Sequence, residues 1–141
     1  MANGQCSAAP AFAIAPGISG NWFNPSESGH GFQLEVLSSP ASFMTVFWFT
    51  FDNAGNPAWI SGAGAFQGDR FIVDVVRRLG GRFPPHFDST AVTALPWGRL
   101  TFNFLDCTHA RVEWASVDPN FTANGTMSLE QLSRVAGTSC P

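Results

Sequence analysis

Glu27, Ser28 and His30 crowd the stretch Asn24-Pro-Ser-Glu-Ser-Gly-His-Gly31, and they are the side chains of this sequence best suited to chemistry. A hydroxyl, an imidazole and a carboxylate are the parts of an activated nucleophile. On that reading His30 is the base, Ser28 or a water is the nucleophile, and Glu27, Asp74 or Glu113 orients the ring. The competing reading is that serine and glutamate satisfy backbone groups of a Pro/Gly turn. Neighbours in sequence seldom form a triad, and Glu27-Ser28-Gly29-His30-Gly31 is not the Gly-x-Ser-x-Gly elbow of hydrolases.

The same stretch also reads as part of a binding site. Trp22 and Asn24 precede the loop, and Trp59 stands at the start of a run of small residues, Ser61-Gly-Ala-Gly-Ala65, that leaves space above it. Trp22, Asn24, Glu27, Ser28, His30 and Trp59 are therefore the expected ligand contacts, with aromatic faces suited to an apolar or sugar ring. Trp48 and Trp114 read as core. His30, His86 and His109 lack the short spacings of metal ligands, so no metal or other cofactor is expected. Glu35, Asp74 and Glu113 interrupt apolar strands; a pair across a barrel would suit glycoside hydrolysis, but outward positions on half-buried strands explain them more simply.

These residues need a frame, and the length and composition bound it. The 141 residues suit one domain, with an N-terminal arm over residues 1–16 and a single β domain over 17–141. A charged fraction of 12% and an aromatic fraction of 13% exclude disorder, and no apolar run is long enough to span a membrane as a helix. The net charge is −3, with seven arginines scattered along the chain and no lysine, which argues against a nucleic-acid partner. Lacking lysine and tyrosine, the chain has neither a Schiff-base amine nor a phenolic acid.

Alternation supplies the strands. Phe32, Leu34 and Val36 face one way and Gln33 and Glu35 the other, while Phe71, Val73 and Val75 oppose Ile72, Asp74 and Val76. The segment from Ser42 to Asp52 is apolar on both faces, with Phe43, Phe47, Phe49 and Phe51 opposite Met44, Val46 and Trp48, and reads as a strand covered on each side. Asp52-Asn-Ala-Gly-Asn-Pro57 is a hairpin turn. Further strands are expected from Ile18 to Phe23, Ala58 to Phe66, Arg70 to Leu79, Gly98 to Asp106, Arg111 to Val117 and Thr126 to Val135, with an irregular stretch from Gly80 to Pro96. About eight strands in hairpin succession make an all-β antiparallel meander, which removes its edges by closing into an up-and-down barrel of the avidin or lipocalin kind. Eight strands leave an interior just wide enough for side chains or one small ligand.

Cys107 follows a strand and Cys140 is the penultimate residue, where a bridge would tie down the tail, so a Cys107–Cys140 disulfide is expected. Cys6 remains open to a free thiol, an intermolecular bond or an exchange with either partner. A disulfide implies an oxidising compartment, here secreted or periplasmic, with Met1 standing where an export signal has been removed.

Gly17-Ile-Ser-Gly-Asn-Trp-Phe-Asn24 resembles the first strand of avidin-type barrels. The chain departs from that family downstream, having no lysine for its Trp-Lys pair, so the resemblance implies the barrel rather than biotin binding. More extensively, Trp22-Phe-Asn-Pro-Ser-Glu-Ser-Gly-His-Gly-Phe32, Phe47-Trp-Phe-Thr-Phe-Asp52, Gly55-Asn-Pro-Ala-Trp-Ile60 and Ala136-Gly-Thr-Ser-Cys-Pro141 resemble a group of exported bacterial domains marked by Trp-aromatic-Asx-Pro-x-x-Ser-Gly-x-Gly. That resemblance implies secretion and a β-rich fold without an activity. The expected function is binding of a small apolar or glycan-like ligand. A small hydrolase built on His30, and an exported enzyme inhibitor using residues 2–16 or 80–96, are the alternatives. The many strand aromatics also allow a homo-oligomer.

Overall fold

The computed structural model describes residues 12–141, folded as a closed antiparallel barrel of eight strands in chain order. The strands are β1 (Gly20–Phe23), β2 (Gly31–Leu37), β3 (Phe43–Phe51), β4 (Pro57–Gln67), β5 (Arg70–Leu79), β6 (Thr93–Phe104), β7 (His109–Ser116) and β8 (Asn124–Arg134). Each pairs with the next, and β1 closes the ring on β8 from Gly20↔Arg134 to Phe23↔Glu130. The up-and-down barrel expected from the alternation is therefore present. Short 3₁₀ turns are the one other regular element among the described residues.

The interior is packed with the inward-facing members of each strand. Phe32, Leu34, Met44, Val46, Ile60, Phe71, Leu100, Phe102, Phe104 and Val112 are all 2% exposed or less. Burying each such side chain stabilises the fold by roughly 1.5–3 kcal/mol. The rings interlock: Phe32 meets Phe102 edge-on at 5.2 Å, and Phe102 lies parallel to Phe71 at 5.9 Å.

One end of the barrel is sealed. Pro16 starts a 3₁₀ turn through Ile18, which puts the fully buried Ile18 beneath the strands, and β1 begins only at Gly20 rather than at Ile18. The tail crosses this turn, with the Gly17 amide donating to the Ser139 carbonyl at 2.8 Å. A Cβ at Gly17 would lie 2.6 Å from the Ser139 backbone, so only glycine permits the crossing. The Cys107–Cys140 disulfide, with Cα atoms 6.0 Å apart, fastens the tail to the β6–β7 turn. Of the N-terminal segment, Ile14 is buried against the core and its amide donates to the Gly68 carbonyl at 2.9 Å. Cys6 lies outside the described residues.

Four connections meet at the opposite, open end: residues 24–30, 52–56, 80–92 and 117–123. The third is shorter than expected because β6 starts at Thr93 instead of Gly98. A second difference concerns β3. The expectation that both its faces are covered is overturned: Met44, Val46 and Trp48 point into the barrel, whereas Phe47, Phe49 and Phe51 on its outer face are 36%, 50% and 51% exposed.

Candidate functional site

The 24–30 loop is shaped by Asn24. Its side-chain oxygen accepts from the Ser26 amide at 2.8 Å and the Ser26 hydroxyl at 2.6 Å, and Pro25 opens a 3₁₀ turn through Glu27. Asn24 is thus occupied in holding the turn. That turn delivers Glu27 to His30, whose Nε2 lies 3.1 Å from Oε1. On the ring's other side, Nδ1 receives the Trp48 indole N–H at 3.2 Å, and Thr50 Oγ1 is 3.1 Å away. An indole can only donate, so Nδ1 carries no proton and the neutral ring's proton sits on Nε2, facing Glu27. The result is a chain of carboxylate, imidazole and hydroxyl in which the hydroxyl belongs to Thr50 rather than Ser28. Ser28 stands exposed at the tip of the loop.

Behind His30 three indoles converge. Trp48 meets Trp97 at 5.8 Å and Trp114 at 5.5 Å, both edge-on, and Trp97 meets Phe121 at 5.4 Å. With Thr50, Phe51, Asn53 and Thr122 these rings line a cup of about 150 Å³ at the open end. Two local devices set it up. Gly98 pairs with Val75 and Pro96 with Val76, so Trp97 is the extra residue of a β-bulge, a feature that re-aims a side chain. Gly98 has φ +149°, and a Cβ there would collide with the Ala115 carbonyl. Trp114 lies flat over Gly125, where any side chain would penetrate its ring, and its N–H donates to the Thr122 carbonyl at 3.1 Å.

The Nε1–H of Trp97 is different. The residue is 1% exposed, and this nitrogen has no hydrogen-bond partner among the described residues. An enclosed N–H without an acceptor costs about 1–3 kcal/mol. The nitrogen itself is buried.

Beneath the cup, the β5 side chain Arg77 reaches Asp52 at 3.7 Å and Asp118 at 3.5 Å, while its guanidinium lies 5.1 Å from the centre of Phe121. These three charged side chains are only 7–12% exposed. They join two of the loops at the open end, which are further tied by the Asn53 amide donating to the Asn120 carbonyl at 2.9 Å. The Asp52 carboxyl is held below the ordinary aspartate value of 3.8, chiefly by the Asn56 backbone N–H; partial desolvation opposes this, and the Asn56 side chain, the Ala54 N–H and the Arg77 charge reinforce it.

The expected ligand contacts separate into groups. Glu27 and His30 meet, and Ser28 and His30 border one shallow outer depression with Phe49. Trp22 touches that depression only from below: it is 1% exposed, its N–H donates to the Ile18 carbonyl at 2.8 Å, and its ring packs edge-on to Phe104. Trp59 is on the outer face, 41% exposed, beside Phe47. Trp48 is core as expected, yet it also walls the cup, and Trp114 is only half buried there. Glu35 and Glu113 point outward, and Asp74 pairs on the surface with Arg99 at 2.8 Å. His109 opens β7 at the sealed end, bonded to Asp106 of the preceding turn, at the other end of the barrel from His30. Comparison with protein-family models, with curated proteins and with solved structures returns no match.

Sequence reasoning missed Thr50, Trp97, Phe121 and the Arg77 cluster. For Trp97 a signal existed: proline and glycine on either side of a strand residue mark a bulge.

Proposed function

We propose that this protein binds a small uncharged ring, apolar or glycan-like, in the Trp48–Trp97–Trp114 cup. The observation carrying this reading is the Trp97 N–H, buried without an acceptor among the described residues on a ring that lines the aromatic cup. A ligand oxygen that reached it would remove a standing penalty, and the three indoles offer ring faces and edges. The size is apt: an apolar cavity of about 150 Å³ accepts benzene in another protein. Apart from His30, no ionisable side chain among the described residues lines the cup, which favours a neutral ligand. The disulfide suits a secreted or periplasmic protein. Titration of intrinsic tryptophan fluorescence with phenol, glucose and N-acetylglucosamine tests the reading. Saturable change that weakens about tenfold in Trp97→Phe, the equivalent of roughly 1.4 kcal/mol, supports it; no saturable change with any ring ligand, or equal affinity in Trp97→Phe and Trp114→Ala, contradicts it.

The Glu27–His30–Thr50 chain favours a second reading, hydrolysis with His30 as base and Thr50 or a water as nucleophile, the nucleophile's hydroxyl taking the place of the Trp48 N–H at Nδ1. A screen of chromogenic esters, phosphoesters and glycosides decides it. Turnover lost in both His30→Ala and Thr50→Val but kept in Ser28→Ala carries the hydrolase reading, and turnover unchanged in His30→Ala ends it.

A further inference from the structure

The outer face of β3 and β4 carries a strip of exposed aromatic rings that the cup alone does not explain. Phe47 and Phe49 lie parallel within 8° at 6.0 Å, and Phe47 and Trp59 are 6.2 Å apart at 27°. Phe51 extends the strip to the rim, about 14 Å along the strand from Phe47 at the usual rise per residue. Exposed apolar surface that is contiguous, rather than scattered, marks an interaction site.

The strip is continuous with the cup. Thr50 and Phe51 wall both the cup and the neighbouring outer depression of about 360 Å³, which Phe49 and Trp59 complete. No charged side chain among the described residues lines that depression. Farther from the rim, the small residues Ser61 and Ala63 leave a trench beside Phe47 and Trp59, and its far wall carries Asp74 and Arg78. An aromatic floor with a polar wall suits a partner that has apolar ring faces and hydroxyl edges in every unit.

Resting on the cup reading, the geometry points to an oligosaccharide as the ligand: one terminal ring occupies the cup and the following neutral sugar units cross the rim at Thr50 and Phe51 onto Phe49, Trp59 and Phe47. A lipid tail would want aliphatic walls and no polar edge. A second copy of the chain would bury the aromatic rings but leave the connection into the cup without a purpose.

Calorimetric titration with glucose, with cello-, malto- and chito-hexaose, and with phenol tests this on the wild type, Trp59→Ala, Phe49→Ala and Trp97→Phe. Trp59 and Phe49 are surface residues, so their variants keep the fold, which a thermal melt verifies. The expected result is a hexasaccharide bound at least tenfold tighter than its monosaccharide, with that gain lost in Trp59→Ala and Phe49→Ala while phenol and glucose binding is unchanged. The proposal is overturned if no hexasaccharide binds more tightly than glucose or phenol, or if the gain survives both strip substitutions. It is also overturned if sedimentation shows a dimer that Trp59→Ala dissolves. Single rings binding in a Trp97-dependent way without any chain-length gain would leave the cup reading standing and remove this one. A chain-length gain that depends on Trp59 but not on Trp97 would remove the cup as its anchor, and no binding of any sugar or phenol would remove both.

Discussion

Trp22 and Trp97 are equally buried, each 1% exposed, yet they sit in opposite circumstances. Trp22, toward the sealed end, gives its N–H to Ile18 and packs on Phe104; Trp97, toward the open end, has no acceptor among the described residues and rests among rings that line a cavity. The sealed end pairs polar groups with backbone and tail and is cross-linked by the disulfide. At the open end one buried donor lacks a partner among the described residues, and charges hold two of the loops together. The second region keeps a local cost of the kind found at functional sites.

The largest effect that could break this contrast comes from cutting the sealed end. Trp22→Ala should destabilise by about 3–5 kcal/mol, a core truncation with a cavity, measured by denaturant unfolding. The conservative pair sharpens the test: Trp22→Phe gives up a made hydrogen bond and Trp97→Phe discards an unmade one, so the first should cost about 1–2 kcal/mol more than the second. Equal costs would erase the distinction drawn between the two ends.

Next is the disulfide. Cys140→Ser opens a cross-link between residues 33 apart and should cost about 3 kcal/mol under oxidising conditions. Hydrogen exchange should rise in residues 136–141 and around Gly17 while the open-end loops keep their protection.

At the open end, Arg77→Met leaves Asp52 and Asp118 facing each other with no cation. The melting temperature should fall by several degrees, and amides of residues 52–56 and 117–123 should exchange faster, with the sealed end unaffected.

The smallest effect is in acid. Asp52 titrates below 3.8 in the folded protein, chiefly because the Asn56 backbone N–H donates to it, so its contribution is complete above the unfolded value of 3.8 and is lost as pH falls through the lower folded value. The stability gap between wild type and Asp52→Asn should therefore be constant above about pH 5 and shrink below 3.8. A gap that widened in acid would contradict the assignment.

Much of the frame was legible. The alternation of Phe32, Leu34 and Val36 and of Phe71, Val73 and Val75 fixed which side chains face inward, and the Asx-Gly turn at 52–57 placed a hairpin. The pairing of Cys107 with Cys140 followed from their places at a turn and in the tail. The orientation of β3 was harder, since periodicity cannot choose between two apolar faces; only closure of the barrel puts Met44, Val46 and Trp48 inside. The site was legible in part. His30 with Glu27 could be read from local spacing, but Thr50 reaches His30 by strand register, and Arg77, Asp52 and Asp118 meet because a β5 side chain and two separate connections come together at one rim. Trp22 looked like a site residue by its nearness to the loop in sequence, although the strand turns its ring into the core.

The measurement that bears most directly on the contrast is the indole N–H spectrum of ¹⁵N-labelled protein during addition of phenol and N-acetylglucosamine. Five tryptophans give five signals, assigned by single Trp→Phe substitutions. The Trp97 signal should move most, downfield as it gains an acceptor, with Trp48 and Trp114 following and Trp22 unmoved. Saturating shifts at Trp22 that leave Trp97 unchanged, or no shift at any indole, would contradict the account.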